Sequence, residues 1–366
     1  MRKFTVLLIL MIAATMQAAA INFGKTIKAN DQGVTYIGRT AIASDGSVSY
    51  DWTGVYLQTY FTGGTIAISA SDAGTSFHNI FIDGKWMKKI KITGKEVQNI
   101  TLASGLSKGP HLLRLQKCTE GEFGCTTIHA FLLAKGGTLK AVPHKERMIE
   151  IYGDSYTCGY GTESKSAEDP FELETENCDK AYGPIIARYF DADYALTAHS
   201  GQGMIRDWAD TVQISKRNMT TRHAQVFDDH GTEAYDFKAY KPSIVLINLG
   251  TNDFSPTAIP TPEQYVGAYL KMIESIRSHY ADVPILCVTP HSATSYLQSC
   301  LNMLKEQVKA DKNVYMANPM TGIITHDHDM GASWHPNYQG QRKIAMSLIP
   351  QISAIMGWNM EDKTVK

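Results

Sequence analysis

The stretch from Met148 to the C-terminus constrains the fold most, because short apolar runs there alternate with helical patterns. Strand candidates are Met148–Tyr152, Tyr194–Ala198, Ser243–Leu249, Ile285–Thr289 and Val314–Ala317. Between two of these, Tyr265, Tyr269, Met272, Ile273 and Ile276 recur at the spacing of one helix face, and Ala345, Leu348, Ile349 and Ile352 mark a final helix. Alternating β and α predicts a parallel sheet covered by helices on both faces. Ligands bind such sheets where strands end and loops begin. The first strand runs straight into Gly153-Asp154-Ser155, so a serine is expected on that edge.

The preceding region has a different texture. From Ile21 to about Leu139, runs such as Val55–Phe61, Thr65–Ala70, Asn79–Ile82, His111–Leu115 and Ile128–Leu133 are punctuated by glycine and aspartate, without helical periodicity. Asp83-Gly84 is a hairpin turn signal. This pattern predicts a β-sandwich. The expected organisation is a β-sandwich over 21–141, a polar, proline-containing linker over 142–147, and an α/β domain over 148–366. The first 20 residues combine Arg2 and Lys3, an apolar core from Val6 to Ala14, and Ala18-Ala19-Ala20, the pattern of a cleaved secretory signal. That core is about half the roughly 20 residues a membrane span requires. The mature chain is therefore expected in the periplasm or outside the cell.

The full sequence carries a formal net charge of −1, so bulk charge offers no argument for nucleic acid or an anionic membrane as partner. Export permits disulfides. The six cysteines fall in three near pairs, Cys118/Cys125, Cys158/Cys178 and Cys287/Cys300, and neighbour pairing is one expectation; six buried thiols is the other. No CxxC is present, so no zinc site is expected.

A serine hydroxyl needs a base to take its proton and donors to hold the oxyanion. Ser155 is the nucleophile candidate, although serine after Gly-Asp is also a common turn. From Met148 onward the GxSxG elbow does not occur. Among twelve histidines, His335 in Trp334-His335-Pro336 sits after the last strand candidate, on the expected edge; His199, His291, His326 and His328 also lie near strand ends. Asn252 in Gly250-Thr251-Asn252-Asp253 can donate to an oxyanion or simply fix a turn. Gly201 in Ser200-Gly201-Gln202-Gly203 can offer an unobstructed backbone N–H, with Gly203 as a substitute.

These four blocks, in this order, resemble the SGNH (GDSL-type) hydrolases. The β-rich half extends the likeness through Gly38-Arg39-Thr40, Trp52-Thr53-Gly54-Val55, Asp83-Gly84, Gly105-Leu106 and Gly109-Pro110-His111 to carbohydrate esterase family 2. The resemblance implies a jelly-roll domain followed by an SGNH domain with no cofactor or metal. It implies removal of acetyl groups, with a 6-O preference, from plant polysaccharides or oligosaccharides. Ser155 would attack, His335 would act as base, and the Ser155 and Gly201 N–H groups with the Asn252 amide would form the oxyanion hole; Asp154 would be structural.

Many SGNH enzymes place an aspartate two or three residues before the histidine, but Ser333 and Ala332 stand there. A Ser-His dyad oriented by a backbone carbonyl such as that of Ser333 is expected, with Asp329 or Asp327 as the alternative third member. Trp334, Trp208, Tyr156 and Tyr160 are candidate sugar platforms or ordinary packing residues. The expected state is a monomer. The competing readings are an inactive carbohydrate-binding protein and an esterase or lipase for another acyl group.

Overall fold

The computed structural model describes residues 23–366. The expected signal segment, residues 1–20, lies outside the described residues. No helix among the described residues is long and apolar enough to cross a membrane.

The first half is built from β1 (Lys25–Lys28), β2 (Thr35–Ile37), β3 (Ala41–Ile42), β4 (Val48–Tyr50), β5 (Tyr56–Phe61), β6 (Ile66–Asp72), β7 (Thr75–Ile82), β8 (Lys85–Thr93), β9 (Gln98–Ala103), β10 (His111–Lys117), β11 (Thr126–Leu133) and β12 (Leu139–Ala141). They form two six-stranded sheets. One runs β3-β4-β11-β6-β9, with β1 also on β11; the other runs β12-β5-β10-β7-β8, with β2 also on β5. Every pairing is antiparallel. Inward-facing side chains, among them Trp52, Leu57, Phe61, Ile68, Leu115 and Phe131, close a core between the sheets. Asp83 and Gly84 join β7 to β8 with φ of 51° and 76°, left-handed at both turn residues, which matches the twist of the flanking strands. The edge strand β8 is largely exposed and carries four lysines, so it lacks the apolar alternation by which a strand is read from sequence.

The second half carries β13 (Met148–Gly153), α1 (Ser155–Cys158), α2 (Tyr182–Tyr189), β14 (Asp193–Ala198), α3 (Met219–Arg222), β15 (Ile244–Asn248), α4 (Pro262–Tyr280), β16 (Ile285–Cys287), α5 (Ser295–Val308), β17 (Val314–Met316), α6 (His326–Asp329), β18 (Met330–Gly331), β19 (His335–Pro336) and α7 (Tyr338–Met356). Five of these strands form a parallel sheet in the order β14-β13-β15-β16-β17. On one face Ile149 and Ile151 pack with α2 and α7; on the other Val245 and Ile247 pack with α4 and α5. The chain leaves β13 for β14 on one side and then crosses to β15 on the other. Strand order therefore reverses at the C-terminal end of β13, the position where such sheets open a crevice.

The two halves meet through buried polar bonds. Arg39 donates to Glu150 Oε1 on β13 at 3.0 Å and to the carbonyls of His223 and Gln225 at 2.6 and 2.8 Å. Asp51 accepts the backbone N–H groups of Asp228, Asp229 and His230 at 2.7, 2.9 and 3.1 Å. Tyr56 donates to Asp193 at 2.7 Å.

The expected cysteine pairing is corrected. Cys118, Cys125, Cys158, Cys178, Cys287 and Cys300 are all free and buried. Near neighbours in sequence face different partners: the Cys158 thiol donates to Glu120 Oε2 at 3.4 Å, and the Cys178 thiol to the Lys117 carbonyl at 3.3 Å. They serve as small buried side chains.

Arg39 and Glu150 are 1% and 0% exposed, so deleting one strands the other's charge in the interior. Arg39→Met is expected to destabilise the protein by about 3–5 kcal/mol in urea unfolding.

Candidate active site

The nucleophile candidate is placed by the turn that ends β13. Asp154 is the N-cap of α1 and its carboxylate accepts the Tyr156 N–H at 3.1 Å. Ser155 is the first residue of that short helix, so its hydroxyl emerges at the sheet edge. Burial pushes the Asp154 carboxyl up to about 7, the Tyr156 N–H opposing it and the nearby Asp253 adding to it. It contacts neither Ser155 Oγ nor His335, in keeping with a structural part.

His335 reaches the same point from β19. Its Nε2 lies 2.8 Å from Ser155 Oγ, and its Nδ1 lies 2.9 Å from the Ser333 carbonyl oxygen. A carbonyl only accepts, so Nδ1 carries the proton and Nε2 is left to accept from the serine. Ser333 and Trp334 both take left-handed backbone, with φ of 52° and 62°. That turn costs roughly 1–2 kcal/mol per residue and brings the carbonyl back onto the ring. Tyr160 lies against the imidazole with its ring tilted, centroids 4.2 Å apart, and Tyr156 meets it edge-on at 5.6 Å. Burial lowers the His335 pKa below its ordinary value; the Ser333 and Ala332 carbonyls and the more distant Glu120 offset only part of this.

Asp329, the alternative third member, is corrected. Its carboxylate faces away, accepting from Lys343 Nζ at 2.6 Å and from the Thr325 N–H and hydroxyl at 2.7 and 2.9 Å. Burial alone would raise its pKa, but these bonds hold it below the ordinary carboxylate range. It fixes the turn that leads into β18 and β19.

The other two blocks converge on the same edge. Asn252 Nδ2 donates to the Gln202 carbonyl at 2.8 Å and lies 3.5 Å from Asp154 Oδ2, which leaves its second hydrogen weakly held. Gly201 takes φ of 76°, and a Cβ there would meet nothing nearer than 4.0 Å, so no side chain crowds the cleft at this point. Among the described residues, neither the Ser155 nor the Gly201 backbone N–H donates to a backbone acceptor. Gly203 has a different part: a Cβ would stand 2.1 Å from the Arg206 carbonyl oxygen and 2.4 Å from Asp253 Oδ2.

That close approach belongs to a cradle. Asp253 accepts the N–H groups of Met204, Ile205 and Arg206 at 2.8, 2.8 and 3.0 Å. The Arg206 guanidinium in turn donates to the carbonyls of Asn252, Asp253, Ser255, Asp210 and Pro256. Burial pushes Asp253 up to about 6 even against three N–H donors. Asp253 and Arg206 escaped the sequence reading because their chemistry is directed inward, at backbone.

Ser155, His335, Asn252, Gly201, Ser200, Ser333, Tyr160 and Trp208 line one cleft of about 310 Å³. Trp208, 65% exposed, flanks it. Trp334 is 52% exposed but sits outside that lining, its ring edge-on to His326 at 5.4 Å. Tyr156 is buried behind the site with its hydroxyl on Ser292, so its expectation as a sugar platform is corrected: it packs, and Tyr160 is the tyrosine at the cleft. The competing histidines are otherwise engaged. His199 pairs with Asp228 at 2.8 Å, and that carboxylate holds it charged, up to about 9, against burial. His291 packs against Tyr156 with its ring tilted and is kept near 4 by burial and by His335.

A serine–imidazole pair at the reversal point of a parallel sheet, backed by open amide donors, defines the class: a carboxylic ester hydrolase. Residues 151–343 match the GDSL-like lipase/acylhydrolase family and residues 36–143 match the carbohydrate esterase 2 N-terminal domain, and the chain belongs to this family, among the family 2 carbohydrate esterases. It is 30% identical over 336 residues to the cellulase/esterase CelE of Acetivibrio thermocellus, a match that covers 90% of this chain and 40% of that protein. It is 28% identical over 324 residues to an acetylxylan esterase / glucomannan deacetylase of Cellvibrio japonicus, covering 85% and 87% of the two chains. A family two carbohydrate esterase from Clostridium thermocellum, solved with cellohexaose, superposes with a TM-score of 0.82 at 28% identity over 89% of this chain and 100% of that one.

Because Asp329 does not touch His335, Asp329→Asn is expected to keep ester hydrolysis within about threefold of wild type. Its melting temperature should fall, since the lowered pKa marks stability present above the unfolded value and lost with the charge.

Proposed function

We propose that this protein removes acetyl groups from polysaccharide or oligosaccharide hydroxyls through an acetyl-enzyme on Ser155. The observation that carries the reading is the 2.8 Å Ser155–His335 contact on a cleft shared with Asn252 and Gly201. The names of the relatives, an acetylxylan esterase / glucomannan deacetylase and a family two esterase holding cellohexaose, support the substrate class.

The chemistry follows from the geometry. Neutral His335 accepts the Ser155 proton at Nε2 as Oγ attacks the acetyl carbonyl. The negative charge that forms on the carbonyl oxygen is met by the Ser155 and Gly201 N–H groups and the weakly held hydrogen of Asn252. The imidazolium then gives its proton to the departing sugar oxygen, and the same base activates water to release acetate. The Ser333 carbonyl fixes the tautomer as a triad aspartate would, without a full negative charge. The cleft supplies an exposed indole in Trp208, on which a pyranose ring can stack. A 6-O preference, a monomeric state and export through a cleaved signal belong to the same proposal.

Ser155→Ala is expected to lower hydrolysis of an acetylated chromogenic ester by about three orders of magnitude or more. Equal slow turnover by both proteins would leave a binding function only. Acetyl esters should react faster than longer acyl chains, and NMR of acetylated xylan and mannan fragments should show 6-O signals disappearing first. The active form has neutral His335, whose pKa burial lowers, so the acid limb of kcat/KM should have its midpoint below about pH 6.5.

A further inference from the structure

The connection from Ala198 to Ile244 carries Gly201, yet its only regular element is the four-residue α3. A connection of that length in a compact fold must be held by something else. Three side chains of the β-sandwich hold it. Arg39 binds the carbonyls of His223 and Gln225, and Asp51 caps the N–H groups of residues 228–230. The third is Glu120, in the turn between β10 and β11. Its Oε2 accepts the Ser200 N–H at 2.6 Å and the Cys158 thiol at 3.4 Å. One carboxyl oxygen thus touches both the residue before Gly201 and the last residue of the helix that begins at Ser155.

The contact at Ser200 matters because Gly201 is the next residue. A glycine at φ 76° adopts either sign of φ readily, so the Ser200–Gly201 peptide is free to turn over unless pinned. It is pinned on both sides: Ser200 N–H by Glu120, and the Gly201 carbonyl by the Trp208 N–H at 2.8 Å. Glu120 is itself fixed, fully buried, with its own N–H on Glu176 Oε2 at 3.3 Å. Burial and the adjoining Glu120 push the Glu176 carboxyl well above its ordinary range. Gly121, one residue further on, lies so close to the 199–230 connection that a Cβ would stand 2.7 Å from the Asp228 Cβ.

We infer that the β-sandwich completes the catalytic site, with Glu120 a positioning residue that holds the Ser200–Gly201 peptide in register with Ser155. The inference rests on the serine esterase reading of the cleft. It makes the sandwich part of the hydrolytic machinery, whatever else that half binds.

Glu120→Leu removes the acceptor at similar size, and Glu120→Gln keeps an acceptor oxygen. Both are compared with wild type on an acetylated chromogenic ester and for inhibition by methylboronic acid, whose tetrahedral serine adduct occupies the oxyanion position. Displacing the loop by about 1 Å should cost about 100-fold in kcat. Glu120→Leu is therefore expected to lose about 100-fold in kcat with KM within about twofold, and to weaken methylboronic acid in step; Glu120→Gln should recover about tenfold of the loss. A folded Glu120→Leu with wild-type kcat, or a kcat loss with unchanged methylboronic acid inhibition, overturns the inference. If Glu120→Leu does not fold, Glu120→Gln decides: about tenfold lower kcat at unchanged KM supports positioning, and wild-type kcat refutes it. A wild type inactive on every ester sinks the esterase reading, whereas an active wild type with indifferent variants sinks this inference alone.

Discussion

Parallel register around β13 is the constraint on which the site depends. Gly153 lies opposite Ala198 of β14 and Asn248 of β15, so three strands end at one level. The three loops that begin there carry Ser155, Gly201 and Asn252. A slip of one residue would turn each strand's side chains to the opposite face and misplace every loop start. Because both faces of the sheet are packed against helices, such a slip is strongly opposed, and a site spread across four distant segments stays in one place.

Within that frame, polar groups are divided by function. Carboxyl groups that hold backbone, Asp253 on Met204–Arg206 and Asp51 on residues 228–230, are buried and point inward. The imidazole instead leans on a neutral carbonyl. A carbonyl fixes the tautomer but stabilises the imidazolium less than an ionised aspartate does. Burial already disfavours the charged ring, so the base remains neutral to lower pH, and the serine proton is taken by a weaker but unencumbered base.

The sheet and two long helices of the second half were legible because apolar runs and a 3.6-residue period report burial directly. Strand β13, strand β14 and helices α4 and α7 lie where the pattern puts them. Strand β8 was not legible, since an exposed lysine-rich edge is held by its backbone pairing with β7. Cysteine spacing misled for a related reason: nearness along the chain says nothing about which way two thiols point. Asp329 lies close to His335 in sequence, yet a lysine on α7 claims it. Glu120 could not be found at all, because a glutamate in a turn of one half gains meaning only when the other half folds against it.

Local order therefore determined the strand-to-serine junction, the turn at Asp83-Gly84, the helix periods and the four chemical blocks. These follow from steric and hydrophobic preferences of neighbouring residues. Tertiary structure alone decided which tryptophan faces the cleft, which acid is taken by a lysine, how closely the imidazole approaches the serine, and that a carboxyl from the sandwich reaches the glycine loop. Those contacts join segments up to 180 residues apart, and their energies depend on distance and burial, which a linear order does not contain.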